Sequence, residues 1–220
     1  MPPVTLEARD LYRFFRAGDE ETLALRGVSF EVAAGELVVV AGPSGSGKST
    51  LLSCLAGLDE PDGGAVWLDG RRLSHRPEAE RARLRAAGIG VLFQYDNLFA
   101  HLTVAANVRF SQRLQSSRTD VTWLLEAVGL ADRGSAYPGQ LSGGELARAG
   151  LAVALANDPV VLIADEPTGE LDETTEHRLL GMLVSRSMQG KTVIVASHSP
   201  SVRRVADRVL QLRDGQLVTP

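Results

Sequence analysis

Lysine is nearly missing from this 220-residue chain: of 23 basic residues only Lys48 and Lys191 are lysines, the rest being arginine. Cysteine is rarer still. Cys54 stands alone, which excludes an intrachain disulfide framework and fits a reducing cytosol. No uninterrupted apolar stretch of about 18 residues occurs, so no segment reads as a helix that spans a bilayer. The opening MPPVTLEARD carries Glu7 and Asp10 and no apolar core, so it does not read as a secretory signal. No short repeat recurs, and the 44% hydrophobic content excludes collagenous, low-complexity and fully disordered chains. Nor is there an excess of positive charge: the net charge of −4 argues against non-specific nucleic-acid binding as the main task.

What is present is a set of short apolar runs separated by glycine turns. Residues 3–9 (PVTLEAR) and 28–34 (VSFEVAA) alternate as half-buried strands do, with a charged loop expected at Arg16–Glu21 between them. The run LVVVA at 37–41 is continuously apolar, which suits a strand buried on both faces of a parallel sheet. It leads into GPSGSGKST and then an apolar helix, LLSCLAGL, closed by Gly57. Further strands are predicted at 89–93, 160–165 and 192–197, with a helix over Glu173–Gln189 and a final hairpin turning at Asp214-Gly215. Between Tyr95 and Leu155 the pattern is helix and loop. The organisation predicted is one α/β domain over 1–220, with a core of about 1–94 and 156–220 and a helical subdomain of about 95–155.

Gly42-Pro43-Ser44-Gly45-Ser46-Gly47-Lys48-Ser49 satisfies G-x-x-x-x-G-K-[ST] and sits between a predicted strand and a predicted helix. Glycines let successive backbone N–H groups converge on a phosphate, and the helix N-terminus adds partial positive charge. Lys48 supplies a full charge to the β/γ-phosphates and Ser49 a hydroxyl for Mg²⁺, with Thr50 following. By chance a chain of this composition would match about 0.002 times. The loop lacks G-x-G-x-x-G, which excludes a dinucleotide site. Val160-Val161-Leu162-Ile163-Ala164 then runs into two carboxylates. Asp165 is placed to hold Mg²⁺, and Glu166 to face a water attacking the γ-phosphate.

With Leu141-Ser142-Gly143-Gly144-Glu145 ahead of an apolar helix, the chain resembles the ATP-binding-cassette ATPases over nearly its whole length. The resemblance implies a P-loop, RecA-like α/β core with a mostly parallel sheet, an N-terminal antiparallel β portion and an inserted helical subdomain. It implies that Ser142, Gly143 and Gly144 form an anion nest for the γ-phosphate of a nucleotide held by a second copy. By the same resemblance Gln94 senses Mg²⁺ and the attacking water, Asp172 belongs to the loop crossing between subunits, and His198 contacts the γ-phosphate. An adenine-stacking aromatic is expected in LYRFF, with Phe15 first and Tyr12 second. The chain departs from the family at Ser199, where Asp is frequent, at Glu170, where Asn is common, and at Val153, in place of an arginine.

The stretches IGVLFQYDNLFAHLTVAANV and AYPGQLSGGE are most similar to ATPases of the lipoprotein-releasing and macrolide-exporter group, with the cell-division ATPase a close relative. The resemblance therefore implies a cytoplasmic ATPase, peripheral on the inner face of the membrane and powering a transporter or mechanotransmission complex. Two copies would face head to tail around ATP and Mg²⁺. The partner would be a permease with a large extracytoplasmic domain, docked near Tyr95–Asn107. The other classes weighed are a regulator that does not turn over and an ATPase acting on DNA or the ribosome. Glu166 and His198 argue against the first; the second needs long insertions for which 220 residues leave no room. The arginines at 71, 72, 76, 81, 83 and 85 are interleaved with Glu78 and Glu80 and no aromatics, so a solvated, self-paired helical face is expected rather than a nucleic-acid patch. Cys54, Met182 and Met188 are expected to pack, and His75, His101 and His177 show no metal-ligand spacing.

Overall fold

A computed structural model describes residues 2–17, 20–113, 119–169 and 171–218, without the side chains of 16, 17, 20 and 21. The chain opens with a long hairpin, β1 (Val4–Ala17) and β2 (Glu20–Ala33), then β3 (Leu37–Ala41) and helix α1 (Lys48–Leu55). Strands β4 (Gly63–Leu68) and β5 (Arg71–Arg72), helix α2 (Glu78–Gly88) and strand β6 (Ile89–Leu92) follow. Helices α3 (Val104–Arg113), α4 (Val121–Ala127) and α5 (Gly143–Leu155) intervene before β7 (Val161–Asp165). The chain closes with α6 (Glu173–Met188), β8 (Thr192–Ala196), α7 (Pro200–Arg204), β9 (Arg208–Arg213) and β10 (Gln216–Val218).

Two sheets result. One is antiparallel, in the order β2-β1-β4-β5. The other runs β10-β9-β3-β8-β7-β6, parallel except for the terminal β9–β10 hairpin that turns at Asp214-Gly215. This is the α/β architecture the sequence predicts. The continuously apolar strands are explained by their two covered faces. On β3, Val38 and Val40 join a core shared with Leu51, Leu55 and the antiparallel sheet. Leu37, Val39 and Ala41 face the other way, into a core with Leu151, Leu179 and Leu183 of α5 and α6. Each fully buried Leu contributes about 1.5–3 kcal/mol, so both layers hold β3 rigidly, and β3 carries the phosphate loop.

Several expectations are corrected. The loop expected at Arg16–Glu21 is mostly strand, with Arg16 opposite Glu21 and Ala17 opposite Glu20. Register shifts on either side of Leu11 and between Arg13 and Phe14 break the period of two, so the outer half of the hairpin does not read as alternating. Strands β4 and β5 carry no alternation strong enough to be read in the sequence. Arg71 and Arg72 accordingly lie on a short strand, not on the arginine-rich helix. The helix itself is self-paired as expected: Arg81 and Arg85 meet Glu78, and Arg76 meets Glu80. Met182 packs against the second core, whereas Met188 is 83% exposed at the end of α6. Cys54 is fully buried in α1, and burial pushes its thiol up to about 12.

Candidate active site

The phosphate loop forms where β3 leaves the sheet. At Gly42 a Cβ would lie 2.1 Å from the Leu212 carbonyl oxygen and 2.7 Å from Ser46 Oγ, so no larger residue fits. Gly47, with φ 101°, takes the left-handed turn that starts α1 and makes no side-chain cap there. The first N–H groups of α1 are therefore left for a ligand. Lys48 bends back over the loop, its Nζ donating to the carbonyls of Gly42 and Pro43 at 3.0 Å each. Ser46 Oγ is buried without a partner. The Gly215 N–H donates to the Ser46 carbonyl at 3.1 Å, and the Arg26 N–H to the Gly215 carbonyl at 2.8 Å. The final hairpin thus supports the loop from behind.

A cleft of about 950 Å³ opens above this loop. It is lined by Gly42 to Gly45, Gly47 to Thr50, Gln94, Asp165, Glu166, His198 and Phe15. Sequence reasoning had assigned all of these. Asp165 ends β7, and Glu166 follows with φ 43°. That strained backbone is pinned by the Glu166 N–H donating to the Ala196 carbonyl at 2.9 Å. His198 Nδ1 lies 3.0 Å from Glu166 Oε1, and Gln94 Nε2 donates to the Tyr95 hydroxyl at 3.2 Å. Tyr12 does not line the cleft; its ring packs beside Gly27 and Gly63. Sequence reasoning missed Thr22, Leu23, Ala24 and Arg26 of β2 as lining, together with Asp214 and Gly215. The Asp214-Gly215 turn was legible as a turn but carried no sign of its neighbour.

Ser142, Gly143, Gly144 and Asp172 do not line this cleft. Ser142 caps α5, its Oγ accepting from the Glu145 N–H at 3.2 Å while the Ser142 N–H donates to Glu145 Oε2 at 2.9 Å. That backbone N–H, aided by Arg133, holds the Glu145 carboxyl below its ordinary range. Asp172 caps α6, accepting from the Thr175 hydroxyl at 2.6 Å and the Thr175 N–H at 3.1 Å, and is likewise held low. Gly144 sits against Thr175, so these two helix starts are neighbours. Gly143 lines a second groove with Phe93 to Leu98, Leu146 and Leu171, and Gln94 and Glu166 border both. Of the departures, Ser199 caps α7 and donates to Glu176 Oε1 at 3.0 Å, and Val153 packs against the second core. Glu170 lies outside the described residues.

A glycine loop, lysine and helix start at the end of a parallel strand, opposite a second strand ending in two carboxylates, define a P-loop nucleoside triphosphatase. Residues 25–169 match the ABC transporter family, and the chain belongs to it as an ATP-binding, ATP-hydrolysing subunit. It is 42% identical over 222 residues to the methionine import ATP-binding protein MetN of Thermobifida fusca, covering 97% of this chain and 68% of that protein. It is 38% identical to the macrolide export ATP-binding/permease protein MacB of Hyphomonas neptunium, covering all of this chain and 35% of that protein. The ATP-binding cassette MJ0796, solved as a dimer in a post-hydrolysis state with ADP and Pi, superposes with a TM-score of 0.92. That match has 32% identity and covers 97% of both chains. Among the described residues no helix is long and apolar enough to cross a membrane.

Proposed function

We propose that the chain hydrolyses ATP with Mg²⁺ at a site shared between two head-to-tail copies, and that the dimer drives a membrane permease. One observation carries this: Lys48, Ser49, Gln94, Asp165, Glu166 and His198 line one cleft while the Ser142–Gly144 nest lies outside it. A second copy can supply such a nest where the same chain does not. Lys48, Ser49, Thr50 and the loop amides hold the phosphates. Ser49, Gln94 and Asp165 offer a hydroxyl, an amide and one carboxylate, all hard oxygen donors. That set suits Mg²⁺ with phosphate oxygens and water completing its shell. Bound there, Mg²⁺ would neutralise charge on the β- and γ-phosphates. Glu166 takes the proton from the attacking water, and His198, oriented by Glu166 through Nδ1, turns Nε2 towards the γ-phosphate. Asp172 belongs to the loop that crosses to the other copy, and Phe15 stacks the base.

The chain is read as one domain, with residues 95–155 forming the helical part and 1–94 with 156–220 the core. The groove beside the cleft has about 420 Å³ and is lined by Phe93, Gln94, Tyr95 and Leu98. Of its lining, Phe93 is 44% and Tyr95 56% exposed. A permease helix docking there would touch Gln94 directly, and this carries the protein to the inner face of the membrane. The segment 89–108 favours a partner with a large extracytoplasmic domain, as in the lipoprotein-releasing and macrolide-exporter group. A cell-division-type regulator is the second reading, supported by the same segment. Co-purification with a co-expressed permease that has a large extracytoplasmic domain tests the assignment. ATP turnover that rises when that permease is added supports it, and failure of any such permease to bind removes it.

A further inference from the structure

We propose that Arg13 is a positioning residue for the nucleotide base: its guanidinium braces the Phe15 ring from behind and ties it to the helix that follows the phosphate loop. This rests on Phe15 being the base platform. The Arg13 Cζ lies 4.8 Å from the Phe15 ring centroid. Phe15 lines the cleft and Arg13 does not, so the ring presents to the cleft a surface that the guanidinium leaves uncovered. The arginine is itself held on its edge. Nε and Nη2 donate to the two oxygens of Asp59 at 2.9 Å each, and Nη1 donates to Asp62 Oδ2 at 3.0 Å. Asp62 also accepts from the Phe14 N–H at 2.8 Å, and its own N–H donates to the Tyr12 carbonyl at 2.8 Å.

The anchor reaches back to the phosphate loop. The N–H groups of Leu58 and Asp59 both donate to the carbonyl of Ser53 in α1, at 2.9 and 3.1 Å. One guanidinium therefore spends its edge on two carboxylates and its flat face on an aromatic ring, a combination a lysine cannot make. Phe15 is 42% exposed and would lose rotational freedom when a base stacks on it. A ring already fixed from behind loses less, which favours binding of the base. Since α1 begins at Lys48, base platform and phosphate cradle then move as one body.

The test compares binding of ATP and of inorganic tripolyphosphate, both with Mg²⁺, by calorimetry on the full chain. Arg13→Gln is expected to weaken ATP about three- to tenfold while leaving tripolyphosphate within about twofold. The KM for ATP should rise by the same factor, with kcat at saturating ATP unchanged, because no hydrolytic group is touched. Added to Phe15→Ala, Arg13→Gln should cost nothing more. Arg13→Lys, which keeps a charge beside both aspartates, should restore melting temperature but not ATP affinity. Equal losses for both probes, additive losses in the double variant, or rescue of ATP affinity by lysine would each overturn the proposal. Parental ATP binding by Arg13→Gln beside a weakened Phe15→Ala overturns it while leaving the platform standing. Parental ATP binding by Phe15→Ala removes platform and proposal together.

Discussion

His198 Nδ1 faces Glu166 Oε1 at 3.0 Å, with the histidine side chain 74% exposed and the glutamate 15%. The more buried member is the one whose backbone is strained, at φ 43°. It is fastened to the Ala196 carbonyl two residues before the histidine. Glu166 and His198 thus sit just past the ends of neighbouring strands, β7 and β8, so a shift of one strand against the other changes their spacing.

Glu166→Gln keeps the side-chain shape but cannot accept a proton. General-base catalysis contributes about 10²–10⁴-fold, so turnover should fall at least about a hundredfold. Removing a negative charge beside the triphosphate leaves ATP binding intact or stronger. The variant should accumulate an ATP-loaded dimer, seen by light scattering as a doubled mass with Mg-ATP and not with ADP. Lys48→Ala should neither bind nucleotide nor dimerise. Hydrolysis by Glu166→Gln near the parental rate would exclude Glu166 as the base.

Specific activity should rise with protein concentration, because Ser142 and Gly144 lie outside the cleft that Lys48 lines. Phosphate release per mole, measured across the monomer–dimer range set by sedimentation, checks this. A flat profile over that range would place a complete site within one chain.

Gly42→Ala should lose nucleotide binding and stability together. A Cβ there would stand 2.1 Å from the Leu212 carbonyl, which is backbone of β9 and cannot rotate away. Overpacking of this kind costs about 1–3 kcal/mol. Gly45→Ala is the comparison, since nothing lies within 4 Å of a Cβ there, although its φ of +77° still strains alanine. If Gly42→Ala melts and binds as Gly45→Ala does, β9 does not fix the loop.

Much of the site was legible because phosphate chemistry constrains local sequence. Gly42 to Thr50 and Asp165-Glu166 are contiguous, and the strands that carry them are apolar on both faces. What was illegible depends on chain segments far apart. Nothing near Asp214-Gly215 in sequence says that its N–H supports Ser46, and nothing near Arg13 says that Asp59 and Asp62 receive it. The outer part of the first hairpin failed for a different reason: bulges around Leu11 and Arg13 remove the alternation by which strands are read. Within LYRFF the sequence ranks Phe15 ahead of Tyr12, and the fold puts Phe15 in the cleft lining while Tyr12 turns to Gly27 and Gly63.

Acid should weaken the fold partly through Asp158, which lies in the loop between α5 and β7 and pairs with Arg186 of α6 and Lys191 just before β8. Burial alone would raise its carboxyl, but Lys191 Nζ and Arg186 Nη2, each 2.9 Å away, outweigh this and hold it below the ordinary range. The unfolded value is about 3.9. A depressed folded value means the contribution is fully present above that pH and is lost as the pH falls through the folded value. The Asp158 side chain is 58% exposed, so solvent screening limits the contribution to about 1 kcal/mol or less. Asp158→Asn should therefore lower the melting temperature at pH 7 by no more than about 2–4 °C, and the gap should close as the pH falls below the unfolded value and through the depressed folded one. Asparagine tolerates the φ of 47° at this position, so backbone strain does not confound the comparison. Thermal melts of both proteins from pH 7 downwards measure it. A gap that stays constant into the acid range would show that Asp158 acts through its shape and not its charge.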